Sequence, residues 1–97
     1  MNNMKAKQLL KSRETLSETA FVERVVWLLP SPLEGRSHSL KYRLAYVVDG
    51  VCVVRYDNEA GKGDHRHVND LEQPYAFASF QQLLVDFWDD VQKWSAT

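Results

Sequence analysis

The strongest hydrophobic pattern in the chain is LKYRLAYVV-DG-VCVVRYD, residues 40–57. Two runs of β-branched and aromatic residues flank Asp49-Gly50. That dipeptide suits a two-residue type I′ hairpin, in which both central residues take positive φ. Such a loop pairs Val48 with Val51, so that paired residue numbers sum to 99 along an unbroken ladder. One face is then expected to carry Tyr42, Leu44, Tyr46, Val48, Val51, Val53, Arg55 and Asp57. The other carries Lys41, Arg43, Ala45, Val47, Cys52, Val54, Tyr56 and Asn58. Both faces are apolar near the turn and polar toward the open end. The hairpin therefore delivers Tyr42, Arg43, Arg55, Tyr56 and Asp57 to the end from which the next segment departs.

Upstream, Thr19 to Leu29 (TAFVERVVWLL) reads as an interior strand stopped by Pro30-Ser31-Pro32. Residues 4–16 have the propensity of a short helix, yet Glu14-Thr15-Leu16-Ser17-Glu18 leading into a strand also fits a hairpin. A strand is expected there. At the C-terminus, Ser79 followed by Gln82 is a capping box that opens a helix running to about Trp94. Phe80, Leu83, Leu84, Phe87, Val91 and Trp94 form one apolar stripe along it. Gln82, Asp86, Asp89, Asp90 and Lys93 are expected to face water, with Trp88 at the margin of the stripe, where it is available to a partner.

These elements predict an α+β fold: an antiparallel sheet of about four strands with a C-terminal helix packed on one face. At 97 residues the chain is expected to form a single domain, 1–97. So short a chain has nothing obvious to cover the second face of the sheet or its edges, which points to a partner protein or a homodimer.

Composition narrows the setting. The lone Cys52 cannot form an internal disulfide, which fits a reducing compartment, and its apolar surroundings suit buried filler rather than a nucleophile. The N-terminus lacks the apolar core of a signal peptide, and no run approaches the ~20 apolar residues of a membrane span. A cytoplasmic protein without membrane contact is expected. The net charge of −1 is unevenly spread: residues 1–67 hold eleven Lys/Arg against eight Asp/Glu, and residues 68–97 hold one lysine against five acids. A polyanion can approach the basic part, but this excess does not by itself identify a nucleic-acid binder.

The candidate chemistry lies in RYDNEAGKGDHRHV, Arg55 to Val68. If His65 to His67 is extended, the two imidazoles share one face and Arg66 takes the other. A metal reading would use His65 and His67 with Asp57 or Asp64, but HExxH and paired CxxC motifs are absent and His38 lies in a separate loop. Neither metal nor other cofactor is expected. General acid–base chemistry fits better. RNA cleavage without metal needs a base for the 2′-hydroxyl, an acid for the leaving oxygen, and cations for the phosphorane. His65 and His67 supply proton carriers, and Arg66, Lys62 and Arg43 supply cations. Asp57 stands with them, and Tyr42, Tyr56 or Tyr75 can stack a base. Gly61-Lys62-Gly63 lets backbone amides approach a phosphate or simply makes a turn, and it lacks Walker spacing. Asp64 orients a histidine or caps that turn. The same inventory also serves a non-catalytic interaction module that binds a protein or nucleic acid.

The run KYRLAYVVDGVCVVRYDNEAGKGDHRHV, with the later PYAF and QLLVDFW, resembles the TumE-type toxin family of bacterial toxin–antitoxin systems. The resemblance extends from about Leu9 to Val91, and YDN followed by KGDHRH is its most specific part. Tyr42, Arg43, Tyr56, Asp57, Asn58, Gly63, His65, Arg66 and His67 all fit the family pattern. It implies a toxin held inactive by a cognate antitoxin. With the loop inventory, the expected activity is an endoribonuclease with His65, His67, Arg66 and Asp57 catalytic, and with Arg43, Lys62, Tyr42 and Tyr56 binding substrate.

Overall fold

Asp49 and Gly50 take φ of 52° and 78°, so the tight hairpin predicted by that dipeptide forms between two nine-residue strands. It is the centre of a larger array. A computed structural model describes residues 5–32, 38–59 and 61–96. Its strands are β1 (Lys7–Thr15), β2 (Ala20–Leu28), β3 (Leu40–Val48), β4 (Val51–Glu59), β5 (Gly63–Val68) and β6 (Leu71–Pro74). They form one antiparallel meander in sequence order, and the helix α1 (Phe80–Ser95) follows. The α+β class holds, and of the 4–16 segment Lys7–Thr15 forms a strand, residue 4 lying outside the described residues. The strand count does not: the sheet has six strands rather than about four. The two added strands are the histidine segment and its return, which sequence reading treated as a loop.

The register of the central hairpin also differs from expectation. Val48 pairs with Val51 and Val47 with Cys52, but Tyr46 then pairs with Val54. Val53 is a bulge, one residue with no opposite number, and it shifts every later pair by one. Because side chains alternate with period two, that shift exchanges the faces of β4 relative to β3. Tyr42, Leu44 and Tyr46 therefore share a face with Val54, Tyr56 and Asn58. Arg55 and Asp57 join Arg43 on the other. Val53 and Val54 are both buried, so the bulge places two consecutive valines in the core.

The helix selects which face is covered. Ser79 Oγ accepts from the Gln82 N–H at 3.0 Å, capping the N-terminus as expected, while the Gln82 side chain reaches forward to Asp86. Leu83, Phe87 and Val91 pack over Val22, Val26, Leu44, Val54 and Tyr56, all at most 1% exposed. Burying such side chains contributes about 2 kcal/mol each and is the main stabilising term. Asp90 does not face water as expected: it is 8% exposed, accepts from the Tyr56 hydroxyl at 2.5 Å and pairs with Arg66 at 3.4 Å. At the margin, the Arg24 guanidinium lies over the Trp88 ring.

Asn58, 1% exposed, ties β3 to β4 beyond their last paired residues. Its amide donates to the Leu40 carbonyl at 2.8 Å and its Oδ1 accepts from the Tyr42 N–H at 3.0 Å. Lys41 Nζ donates to the Asn58 carbonyl at 2.7 Å. Among the described residues, none covers the sheet face opposite α1, and no helix is long and apolar enough to cross a membrane.

Candidate functional site on the open sheet face

Cross-strand pairing assembles charged residues on the uncovered face. One row runs Val25, Arg43, Asp57 and His65 across β2 to β5. The next runs Glu23, Ala45, Arg55, His67 and Glu72 across β2 to β6. Since neighbouring strands are ~4.8 Å apart and alternate residues on one strand are ~7 Å apart, these side chains crowd into a single patch.

His65 and His67 lie side by side with defined proton positions. His65 Nδ1 is 2.9 Å from the Gly63 carbonyl, which can only accept, so Nδ1 carries a proton. Its Nε2 is directed toward Glu72, 3.6 Å from Oε2. His67 Nε2 lies 3.0 Å from an Arg55 Nη2. A guanidinium can only donate, so this nitrogen accepts and the proton of neutral His67 sits on Nδ1. Glu72 Oε1 is 3.9 Å from the same His67 nitrogen. The two geometries compete, because a His67 bearing its proton on Nε2 would favour Glu72 and repel Arg55. The contact to Arg55 is the shorter, so this nitrogen is read as its acceptor. Asp57 Oδ2 lies 3.3 Å from Arg55 Nε, yet that buried Nε makes no hydrogen bond. The attraction there is electrostatic and badly aligned. The result is a linked set in the order Asp57, Arg55, His67, Glu72, His65.

These residues line a polar cleft of about 310 Å³ with Arg43, Glu59 and Lys62. Lys62 pairs with Glu59 at 3.5 Å between exposed side chains, an interaction of little energetic weight. Among the described residues, the Arg43 guanidinium has no ion-pair partner. It is the cation most free to meet an incoming anion. No group of three or more His, Cys, Asp or Glu among the described residues is arranged to hold a metal ion.

Several residues named from sequence lie elsewhere. Arg66 projects to the opposite face from His65 and His67, as the alternation of an extended segment requires, and there it pairs with Asp90 at 3.4 Å and with Gln73 at 3.2 Å. The bulge and the helix bury Tyr42 and Tyr56, at 2% and 0% exposure, so neither ring faces the cleft. Tyr75 is on the helix side too, stacked edge-on against Tyr56 and donating to Asp86 at 2.6 Å. Burial raises the hydroxyl pKa of all three tyrosines above the ordinary value of 10.0, and the partner carboxylates Asp64, Asp90 and Asp86 raise them further. Asp64 does orient a histidine, though not one in the cleft. It accepts from Tyr42 at 2.9 Å and lies 2.8 Å from Nε2 of His38, whose ring stacks on Phe77. The structure thus brings together His65, His67, Asp57, Arg43 and Lys62, and separates Arg66, Tyr42 and Tyr56 from them.

Glu72 and the role of Arg55 were missed. Asn69-Asp70 between HRHV and LEQP was the available signal: Asn69 adopts φ of 56°, closing a two-residue turn that returns Glu72 beside His67. Arg55 needed the bulge, which no local motif announces.

A family model described as Toxin TumE matches residues 5–95. Comparison with curated proteins and with solved structures finds no match.

Proposed function

The chain belongs to the TumE toxin family, and on that premise we propose that it acts on RNA as a metal-independent endoribonuclease. Membership implies a toxin of a toxin–antitoxin pair, with a cognate antitoxin as partner. The observation that carries the catalytic reading is the pair of imidazoles on one open face with both Nε2 atoms near Glu72. One ring accepts from an arginine, and the other directs its Nε2 toward a carboxylate. That is the division of labour an acid–base pair requires.

In the proposed reaction, His67 Nε2 removes the 2′-hydroxyl proton once the substrate phosphate draws Arg55 toward itself. The 2′-oxygen forms a bond to phosphorus, and the P–O5′ bond breaks. His65, carrying its second proton on Nε2 beside Glu72, gives that proton to the departing 5′-oxygen. The products are a 2′,3′-cyclic phosphate and a 5′-hydroxyl. Arg43 and Arg55 stabilise the dianionic phosphorane, and Lys62 attracts the flanking backbone. Asp57 positions Arg55.

A second reading, a non-catalytic interaction module, is favoured by one feature. The carboxylates of the cleft already have cationic or imidazole neighbours: Asp57 with Arg55, Glu59 with Lys62, and Glu72 with the histidines. Inducible expression of the wild type beside a His65→Ala/His67→Ala variant separates the two. Growth arrest with new RNA ends, persisting in chelator-treated purified protein and lost in the variant, is expected. A variant that still cuts RNA would sink the catalytic assignment. Arrest without new ends would favour the interaction module.

A further inference from the structure

A second cavity adjoins the cleft at Arg43, which lines both. It has a volume of about 220 Å³ and is bounded by Val25, Trp27, Lys41, Tyr42 and Arg43. Trp27 pairs with Lys41 and Val25 with Arg43 across β2 and β3, so the indole, the valine and both cations share the open face. Trp27 lies outside the buried core and is partly exposed. The core under α1 does not need this large aromatic residue. The cavity therefore has an apolar floor and a cationic rim, and it opens beside the proposed reaction centre.

We infer that this cavity is the base-binding subsite of the toxin, in which Trp27 stacks an unpaired nucleobase of a single-stranded RNA while Arg43 holds the adjoining phosphate in the cleft. The inference rests on the RNA-directed reading of the same face and specifies its substrate as unpaired rather than duplex RNA. Stacking on an aromatic platform beside arginine and lysine is how single strands are gripped without sequence-specific hydrogen bonds. A base in a duplex is already stacked on its neighbours and cannot enter such a cavity. The geometry is consistent in scale: from β2 to β5 the row Val25, Arg43, Asp57, His65 spans roughly 14 Å, so a strand with one base on Trp27 extends its backbone over Arg43 toward the histidines. The tyrosines that could have served this purpose, Tyr42 and Tyr56, are buried. Tyr42 also bounds the cavity but is buried, so Trp27 is its partly exposed aromatic side chain.

The test uses the full chain carrying His65→Ala/His67→Ala, so that a short fluorescein-labelled oligouridylate is bound without being cut. Trp27→Ala in that background is expected to weaken binding by about tenfold at fixed salt, and Trp27→Phe to retain most of it. An oligomer of the same length lacking bases is expected to bind as weakly to the parent as the oligouridylate does to Trp27→Ala. Quenching of tryptophan fluorescence on binding should vanish in both Trp27 variants. Binding within about twofold of the parent in a folded Trp27→Ala protein would overturn the inference, as would equal affinity for the baseless oligomer or for a duplex. RNA cleavage by protein with intact histidines is scored separately. Trp27-dependent binding without cleavage removes the nuclease reading and leaves the subsite; cleavage indifferent to Trp27→Ala does the reverse.

Discussion

Arg55 donates from Nη2 to Nε2 of His67 at 3.0 Å across the β4–β5 pair. Since arginine has no acceptor, this one contact fixes the imidazole tautomer and withholds its lone pair until something competes for the guanidinium. A phosphate is such a competitor. An anion that takes the guanidinium would therefore free this imidazole nitrogen. In nitrogen-15 spectra of the neutral rings, both His65 and His67 are expected as Nδ1-protonated tautomers. Arg55→Ala should leave His65 unchanged and convert His67 to a mixture. An unaltered His67 signal in that variant would show that Arg55 does not control it.

Arg66 provides the complementary case. It sits between the histidines in sequence, yet its guanidinium meets Asp90 on the helix side. Arg66→Ala is expected to cost about 1 kcal/mol of stability, a modest figure because the arginine is 37% exposed and its charge is screened. If the proposed ribonuclease activity holds, the folded variant should keep the turnover of the parent. A large fall in turnover at unchanged stability would return Arg66 to the cleft.

Asn58 substitutes for a ladder that has ended. Removing its amide leaves the Leu40 carbonyl and the Tyr42 N–H buried without partners. Asn58→Ala is expected to destabilise the protein by about 2–4 kcal/mol, one desolvation penalty for each orphaned group. Urea denaturation measures this directly. A loss below about 0.5 kcal/mol would mean that water or a shifted strand satisfies both groups.

Tyr42, Tyr56 and Tyr75 make the fold sensitive to alkali. Their hydroxyls are neutral donors held against carboxylates by burial, so their folded-state pKa values lie above the unfolded 10.0. Below that value both states are protonated, and these groups add no pH dependence. Above it, the unfolded chain loses protons that the folded chain keeps, so stability falls as pH rises. Thermal midpoints are expected to be level from pH 8 to about 10 and to decline beyond it, more steeply than in a Tyr42→Phe/Tyr75→Phe variant. Equal slopes in the two proteins would refute the assignment.

Local pattern in the chain determined a great deal. The Asp49-Gly50 turn, the strand before Pro30, the Ser79 cap and the apolar stripe of α1 are decided by neighbours within a few residues. The resemblance residues led to the family from the same short-range text. The alternation of His65, Arg66 and His67 likewise requires only that the segment be extended. Tertiary structure decided the rest. Asn69-Asp70 became a strand-to-strand turn only through the pairing of β5 with β6. The Val53 bulge depends on how both valines fit beneath the helix, and a single unpaired residue there moves Arg55 and Asp57 to the face of Arg43. Whether an arginine reaches a histidine or an aspartate is settled by which sheet face a helix covers. That choice is made by the summed burial of side chains far apart in sequence, so no window of neighbouring residues contains it.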